Sequence, residues 1–201
     1  MINNKISVLI LRHPQEADVE LGTANILTRC LSNVKIVTGL SWPNFEKVLG
    51  FKANPKHWGV LYLGSAALPE QQGLYCLDRK GNLIPEDQAI KASLEGIVVL
   101  DGTWSQAKSL WWRNAWLLKL QRVALRPFMP SLYGKLRKEP RREGVSSLEA
   151  IAGTLIALGE PVETSKVLIK EFRELLESHR KNQSANKVAA SEANVTDSEA
   201  S

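Results

Sequence analysis

Cysteine is scarce in this sequence. Its two cysteines, Cys30 and Cys76, stand far apart, and neither belongs to a pair at metal or redox spacing. That spacing argues against a disulfide framework and a zinc ribbon, and it fits a reducing cytoplasm. Histidine is equally thin: three residues are scattered with no ligand spacing, so no metal site is expected. No apolar run is long enough to span a bilayer, so no membrane partner is expected. The opening MINNKISVLILRH has a short apolar run and no small-residue cleavage site, and reads as a first strand, not a signal peptide. There is no GxGxxG loop, no Walker loop, no HExxH and no internal repeat.

What is present is ordinary in bulk. Of 201 residues, 44% are apolar and 23% charged, enough for one domain with a real core. The formal net charge is +5. From position 181 onward there are two lysines (Lys181, Lys187) and three acids (Glu192, Asp197, Glu199), which leaves +6 for the rest of the chain. A basic surface admits a polyanion as partner through counterion release, but charge alone is weak evidence.

Apolar runs with β-branched residues predict strands at Ile6 to Leu11, Val34 to Val37, Gly59 to Leu63, Ile97 to Leu100 and Arg122 to Leu125. A hairpin is expected over Gln72 to Ile84, turning at Asp78–Asn82. Helical spacing predicts helices over Thr23 to Leu31, Pro43 to Leu49 (closed by Gly50), Thr103 to Asn114, Ser146 to Leu158 (stopped by Gly159) and Glu163 to Lys181. Residues 182–201, rich in Ser, Ala, Asn and charge, have little to bury and are expected to be a disordered tail behind a single domain over 1–181. The alternation implies an α/β fold with a mainly parallel sheet flanked by helices. Ligands then belong beyond the C-terminal ends of the strands, in the loops Leu63 to Pro69, Asp101 to Trp104 and Arg126 to Gly144.

Three segments carry chemistry. In Leu100-Asp101-Gly102-Thr103-Trp104-Ser105-Gln106, an apolar strand runs straight into a helix start. This sets the Asp101 carboxylate at the sheet edge. Asp101 is either a turn or cap residue or a reactive carboxylate. Thr103 and Gln106 have capping-box spacing, and Gly102 permits a tight turn or a close approach. Trp104 forms a stripe with Ala107, Trp111 and Ala115 and reads equally as core; of Trp111 and Trp112, only one can share that face. The second segment, Lys135 to Arg142, holds five basic residues and one acid. It is either a solvated loop or a phosphate-binding one, with Tyr133 available for stacking. In the third, Ser146-Ser147-Leu148-Glu149-Ala150, a second capping box opens a helix whose N-terminus also attracts anions.

Together these segments resemble the DTW-domain family, named for a D-x-T-W signature, here Asp101-Gly102-Thr103-Trp104. The likeness covers roughly His13 to Leu158. It takes in Arg12-His13-Pro14-Gln15-Glu16, SLYGKLRKEP and SSLEA, where the family's usual S-T-x-E-A reads Ser146-Ser147-Leu148-Glu149-Ala150. Many relatives carry a cysteine-rich, zinc-ribbon-like segment ahead of the His-Pro region; the residues before His13 contain no cysteine, so a short form is expected.

The resemblance implies a SPOUT-like fold with a C-terminal trefoil knot. It implies a cytoplasmic tRNA-uridine aminocarboxypropyltransferase that uses S-adenosylmethionine (SAM) as substrate and no metal, with a monomer favoured. It implies catalytic roles for Asp101, Thr103 and Trp104. SAM contacts are expected at Leu63, Gly64, Ser65, Asp101, Gly102, Leu125, Tyr133, Ser146, Ser147 and Glu149, and RNA contacts at Lys135, Arg137, Lys138, Arg141 and Arg142. The alternatives are SAM-dependent modification of another RNA, by methyl or aminocarboxypropyl transfer, a non-catalytic RNA-binding module, and a small-molecule enzyme whose basic loop serves an anionic substrate.

Overall fold

The structure is a computed structural model. It describes residues 1–16, 23–62, 64, 66–128, 130–132 and 145–198, with the backbone alone for 24 and 182–198. Six strands form one sheet: β1 (Ser7–Arg12), β2 (Val34–Thr38), β3 (Trp58–Leu61), β4 (Gly73–Leu77), β5 (Gly96–Asp101) and β6 (Gln121–Arg126). Their order is β2-β1-β5-β3-β6-β4, parallel throughout except for β4 on β6. The expected α/β class and mainly parallel sheet are therefore present.

The helices are α1 (Ala24–Cys30), α2 (Phe45–Leu49), α3 (Gln88–Ala92), α4 (Trp104–Arg113), α5 (Ser147–Ala157) and α6 (Val162–Ser198). They cover both faces of the sheet. On one face Val8, Ile10, Ile97 and Val99 pack under Leu27 of α1, Ile151 and Leu155 of α5, and Leu168 and Phe172 of α6. On the other, Leu9, Leu11, Val98 and Leu100 pack under Phe45 and Val48 of α2, Leu110 of α4, and Trp116 and Leu117 of a 3-10 turn. The period-2 alternation of β1 and β5 feeds both layers, so strands buried on both sides read as continuous apolar runs. Each fully buried large side chain contributes about 2 kcal/mol by transfer from water.

Local chemistry sets the boundaries. Asn44 caps α2 by accepting from the Lys47 amide, and Gly50 ends it at φ 92°. Gly159, at φ 91°, follows α5. Strand β3 begins one residue earlier than expected, because Trp58 is buried and sits opposite Gly96, where the missing Cβ leaves room for its ring. The expected hairpin is only partly formed. Asp78 and Asn82 close the turn, but the return limb reduces to one bridge, Leu77 with Leu83, while the other edge of β4 pairs antiparallel with β6. Pro85 and the following α3 take the chain away from the sheet.

Helix α6 runs to Ser198, with the backbone alone described from 182 onward. No Gly or Pro follows Pro161, and the alanines of this stretch favour helix, so the backbone stays helical even where there is little to bury.

Candidate active site

Strands β1 and β5 end side by side, with Arg12 opposite Asp101 in register. Beyond them the His13 amide still donates to the Asp101 carbonyl at 3.0 Å, so the two strand ends leave the sheet together. Helix α4 starts after Gly102. Thr103 accepts from the Gln106 amide, and the Gln106 side chain accepts from the Thr103 amide at 2.6 Å, a complete capping box. The Gln106 Nε2 amide also donates to Gln15 Oε1 at 3.1 Å, linking the segment after β1 to α4. A Cβ on Gly102 would lie 2.9 Å from Gln106 and 3.5 Å from His13. Glycine thus serves here to let two segments approach closely.

The Asp101 carboxylate is anchored at both oxygens. Ser147 Oγ donates to Oδ1 at 2.6 Å, and Arg12 Nε lies 3.4 Å from Oδ2. The two charged side chains are 10% and 14% exposed, Arg12 and Asp101 respectively, so the pair is screened little by solvent. Arg12 Nε and Nη2 are buried without a hydrogen-bond partner among the described residues. A guanidinium with uncommitted donors beside a carboxylate is an arrangement suited to a further anionic or carbonyl oxygen.

Helix α5 brings the third predicted segment to this edge. Ser146 accepts from the Glu149 amide, and Glu149 accepts from the Ser146 amide at 2.9 Å. Glu149 does more than cap: it also accepts from Ser131 Oγ at 3.0 Å and from the Leu132 amide at 2.7 Å. The segment after β6 is thereby tied to the first turn of α5 at Glu149, two residues beyond the serine that holds Asp101.

Of the expected site residues, Asp101, Gly102, Thr103, Ser146, Ser147 and Glu149 thus converge. Trp104 opens α4 half-buried at the same edge, and its stripe stops at Trp111, since α4 ends at Arg113 and Ala115 is exposed. Leu125 is a core residue of β6, packed with Leu74, Cys76, Leu94 and Val123. Gly64 follows β3 at φ 56°, against the Arg122 guanidinium. Leu63, Ser65, Tyr133, Lys135, Arg137, Lys138, Arg141 and Arg142 lie outside the described residues. Sequence reasoning gave no role to Arg12, Gln15 or Ser131. The available signal was position: a polar residue ending an apolar strand that pairs with the Asp101 strand lands on the same edge.

Among the described residues no cluster of His, Cys, Asp and Glu is arranged to hold a metal ion, and no helix is long and apolar enough to cross a membrane.

Fold and site define a three-layer α/β protein with a carboxylate-centred polar site at the C-terminal edge of its parallel strands. The chain belongs to the DTW-domain family, whose model matches residues 1–180. It is similar to tRNA-uridine aminocarboxypropyltransferase 2 of Macaca fascicularis, 25% identical over 169 residues that cover 83% of this chain and 52% of that protein. The chain spans about half the length of this curated relative. No solved structure matches it.

Proposed function

We propose that this chain transfers the 3-amino-3-carboxypropyl group of SAM to N3 of a uridine in tRNA, releasing 5′-methylthioadenosine. The observation that carries the reading is the Asp101 carboxylate, held at the strand edge by Ser147 and Arg12 inside the D-x-T-W signature. Family membership and the relative's name support it.

SAM supplies a sulfonium whose adjacent carbons are electrophilic. The residues present suit such a donor. A carboxylate and the half-buried Trp104 ring favour a cation, while Arg12 and the α5 N-terminus favour a carboxylate. Orientation decides which carbon reacts, so positioning is the main catalytic resource. In this reading Gly102, Ser146, Ser147 and Glu149 line the donor site together with Leu63, Ser65 and Tyr133, whereas Gly64 lies against Arg122 and the Leu125 side chain belongs to the core, so neither is kept as a contact. Thr103 fixes the α4 N-terminus under it. Asp101 accepts the N3 proton of the uridine, with a gain of about 10²–10⁴ in rate for general-base help. Oδ1 keeps a lone pair beyond the one engaged by Ser147, and Oδ2 faces Arg12 as an ion pair without a hydrogen bond, so anchoring and proton acceptance are compatible. Lys135, Arg137, Lys138, Arg141 and Arg142 hold RNA phosphates, and the target uridine is an unstacked loop nucleotide.

The catalytic unit is residues 1–181, acting as a monomer in the cytoplasm without a metal. We assign it a SPOUT-like, C-terminally knotted topology; the insertion of β6 between β3 and β4, followed by the return of α5 to the Asp101 edge, supports this.

The test is incubation of purified protein with unmodified tRNA and SAM labelled separately on the methyl and on the carboxypropyl chain. Transfer of the chain label alone supports the reading, and transfer of the methyl label overturns it. Asp101→Asn is expected to abolish transfer while the folded protein still binds SAM, at a cost in stability from the stranded Arg12 charge; full activity removes Asp101 from the mechanism.

A further inference from the structure

A groove of about 540 Å³ lies at the other end of the sheet from Asp101. His57 just before β3, Gln121 at the start of β6 and Leu77 at the end of the antiparallel β4 all line it, which places it at the N-terminal edge of the parallel strands. A six-residue strand spans roughly 20 Å at about 3.3 Å per residue, so this groove is separate from the carboxylate site.

Its lining combines an apolar floor, with Leu77, Ile84, Trp111 and Leu117 among it, and a charged rim that is mainly positive. Lys56, Arg79, Lys119 and Arg122 contribute four permanent cations, against the single carboxylate of Asp78. That carboxylate is already engaged in its own turn, accepting from the Asn82 amide and side chain at 2.8 and 2.9 Å. The neighbouring Glu95 is held by His57 Nδ1 at 2.9 Å.

One cation is fixed in place. Arg122 Nε donates to the Tyr62 carbonyl at 3.0 Å, and its guanidinium carbon sits 5.4 Å from the Tyr62 ring and 5.9 Å from that of Trp111. The two rings stack at 4.4 Å and 14°. A Cβ at Gly64 or Gly81 would come within 2.6 or 3.1 Å of the guanidinium nitrogens, so both glycines make room for it. Trp111 lines the same groove.

We infer that this groove is a second RNA-binding surface, taking a stretch of the tRNA sugar–phosphate backbone while the target uridine lies at the Asp101 edge. The inference rests on the proposed function for the identity of the polyanion. The case for a polyanion comes from the groove's charged rim. An apolar partner would strip water from Lys56, Arg79 and Lys119 and return no counter-charge, whereas a phosphate chain replaces that water with charge-assisted hydrogen bonds and releases counterions. The stacked aromatic–guanidinium floor suits a base lying beside the backbone. An elongated substrate held at both ends of the sheet gains affinity without crowding the reacting nucleotide.

The experiment compares tRNA binding by the full-length wild type, by Arg79→Gln with Lys119→Gln, and by Lys166→Gln with Lys170→Gln, across a sodium chloride series. The last pair removes the same charge from α6, in the opposite layer. Titration with adenosine 5′-monophosphate and turnover with labelled SAM accompany each. The groove variant is expected to bind tRNA about tenfold more weakly near 0.1 M salt, with the slope of log affinity against log salt reduced by about two. Its KM for tRNA rises while kcat and SAM affinity stay within twofold. The α6 variant is expected to behave as wild type.

An unchanged salt slope in the groove variant overturns the inference, and so does an equal loss in the α6 variant, which assigns the effect to net charge. Mononucleotide binding that disappears in the groove variant while tRNA binding persists also overturns it, and reassigns the groove to a free nucleotide. A wild type that binds tRNA through the groove but transfers no label defeats the proposed reaction and leaves the groove standing. An active wild type with an indifferent groove variant does the reverse, and a wild type that does not bind tRNA defeats both.

Discussion

Ser147 reaches Asp101 across 46 positions of sequence, donating its hydroxyl to Oδ1 at 2.6 Å. The contact joins the first turn of α5 to the end of β5. It also fixes the carboxylate plane together with Arg12. A hydrogen bond to a charged acceptor contributes about 1.5–3 kcal/mol. If Asp101 takes the uridine proton, Ser147→Ala is expected to lower kcat for transfer by about ten- to a hundredfold. Ser147→Thr, which keeps the hydroxyl, should retain most activity. Single-turnover kinetics with saturating SAM and tRNA check this. A Ser147→Ala enzyme with wild-type kcat would show that the orientation of Asp101 does not matter.

The ion pair on the other side of Asp101 has a different signature. Arg12 and Asp101 are both largely buried, and removing one partner strands the other's charge. Arg12→Met is therefore expected to destabilise the fold by about 3 kcal/mol, the range for breaking a buried pair. Adding Asp101→Asn should recover part of that loss, because the stranded charge is gone. Urea unfolding of the wild type, both single variants and the double variant gives the coupling directly. Strict additivity would mean that the 3.4 Å approach carries no interaction.

How far the sequence reaches is visible in these same residues. The D-x-T-W turn, both capping boxes and the buried central strand are local patterns, and the structure contains them at or within a residue of the expected positions. Arg12 was not legible as a site residue, because its role depends on β1 pairing with β5, a contact between segments almost ninety residues apart in sequence. The second limb of the expected hairpin failed. Alternation over Gln72 to Ile84 is real, but β4 pairs with β6 on one edge while on the other the return limb leaves after Leu83, where Pro85 turns the chain away. Helix α3, five residues long, offers too little periodicity to detect.

Burial pushes the Cys76 thiol up to about 12, with the neighbouring Asp87 carboxylate adding to the shift. Its ordinary value is 9.0, so the folded state holds the proton over a range where the unfolded chain has lost it. The sign follows from linkage. The contribution is fully present below pH 9 and is lost progressively as pH rises from there toward 12. Stability should therefore fall with alkali above pH 9, and fall less in Cys76→Ala or Cys76→Val measured against its own neutral value. At pH 8 Cys76 should resist iodoacetamide in the folded protein and react after unfolding in urea, since the thiolate is the nucleophile. Mass spectrometry of the labelled peptides distinguishes Cys76 from Cys30, and rapid labelling of folded Cys76 would contradict the burial that raises it.

Two glycines separate space from conformation. Gly96 opens β5 opposite Trp58, and a Cβ there would lie 2.6–2.7 Å from three atoms of the buried indole. Trp58 is 2% exposed and packs edge-on against Phe45 at 5.2 Å, so the ring cannot retreat without disturbing α2. Gly96→Ala is thus expected to cost about 3 kcal/mol, the upper part of the range for overpacking a core. Gly153, inside α5, also faces a short contact, 2.9 Å to Leu125 Cδ2. That atom ends a flexible side chain, and alanine in a helix interior gains about 1 kcal/mol over glycine. Gly153→Ala should accordingly be close to neutral. Urea midpoints of the two variants, with unchanged m-values, decide the matter. A well-tolerated alanine at 96 would mean that Trp58 has a second rotamer available, and that the one-residue shift of β3 has some other origin.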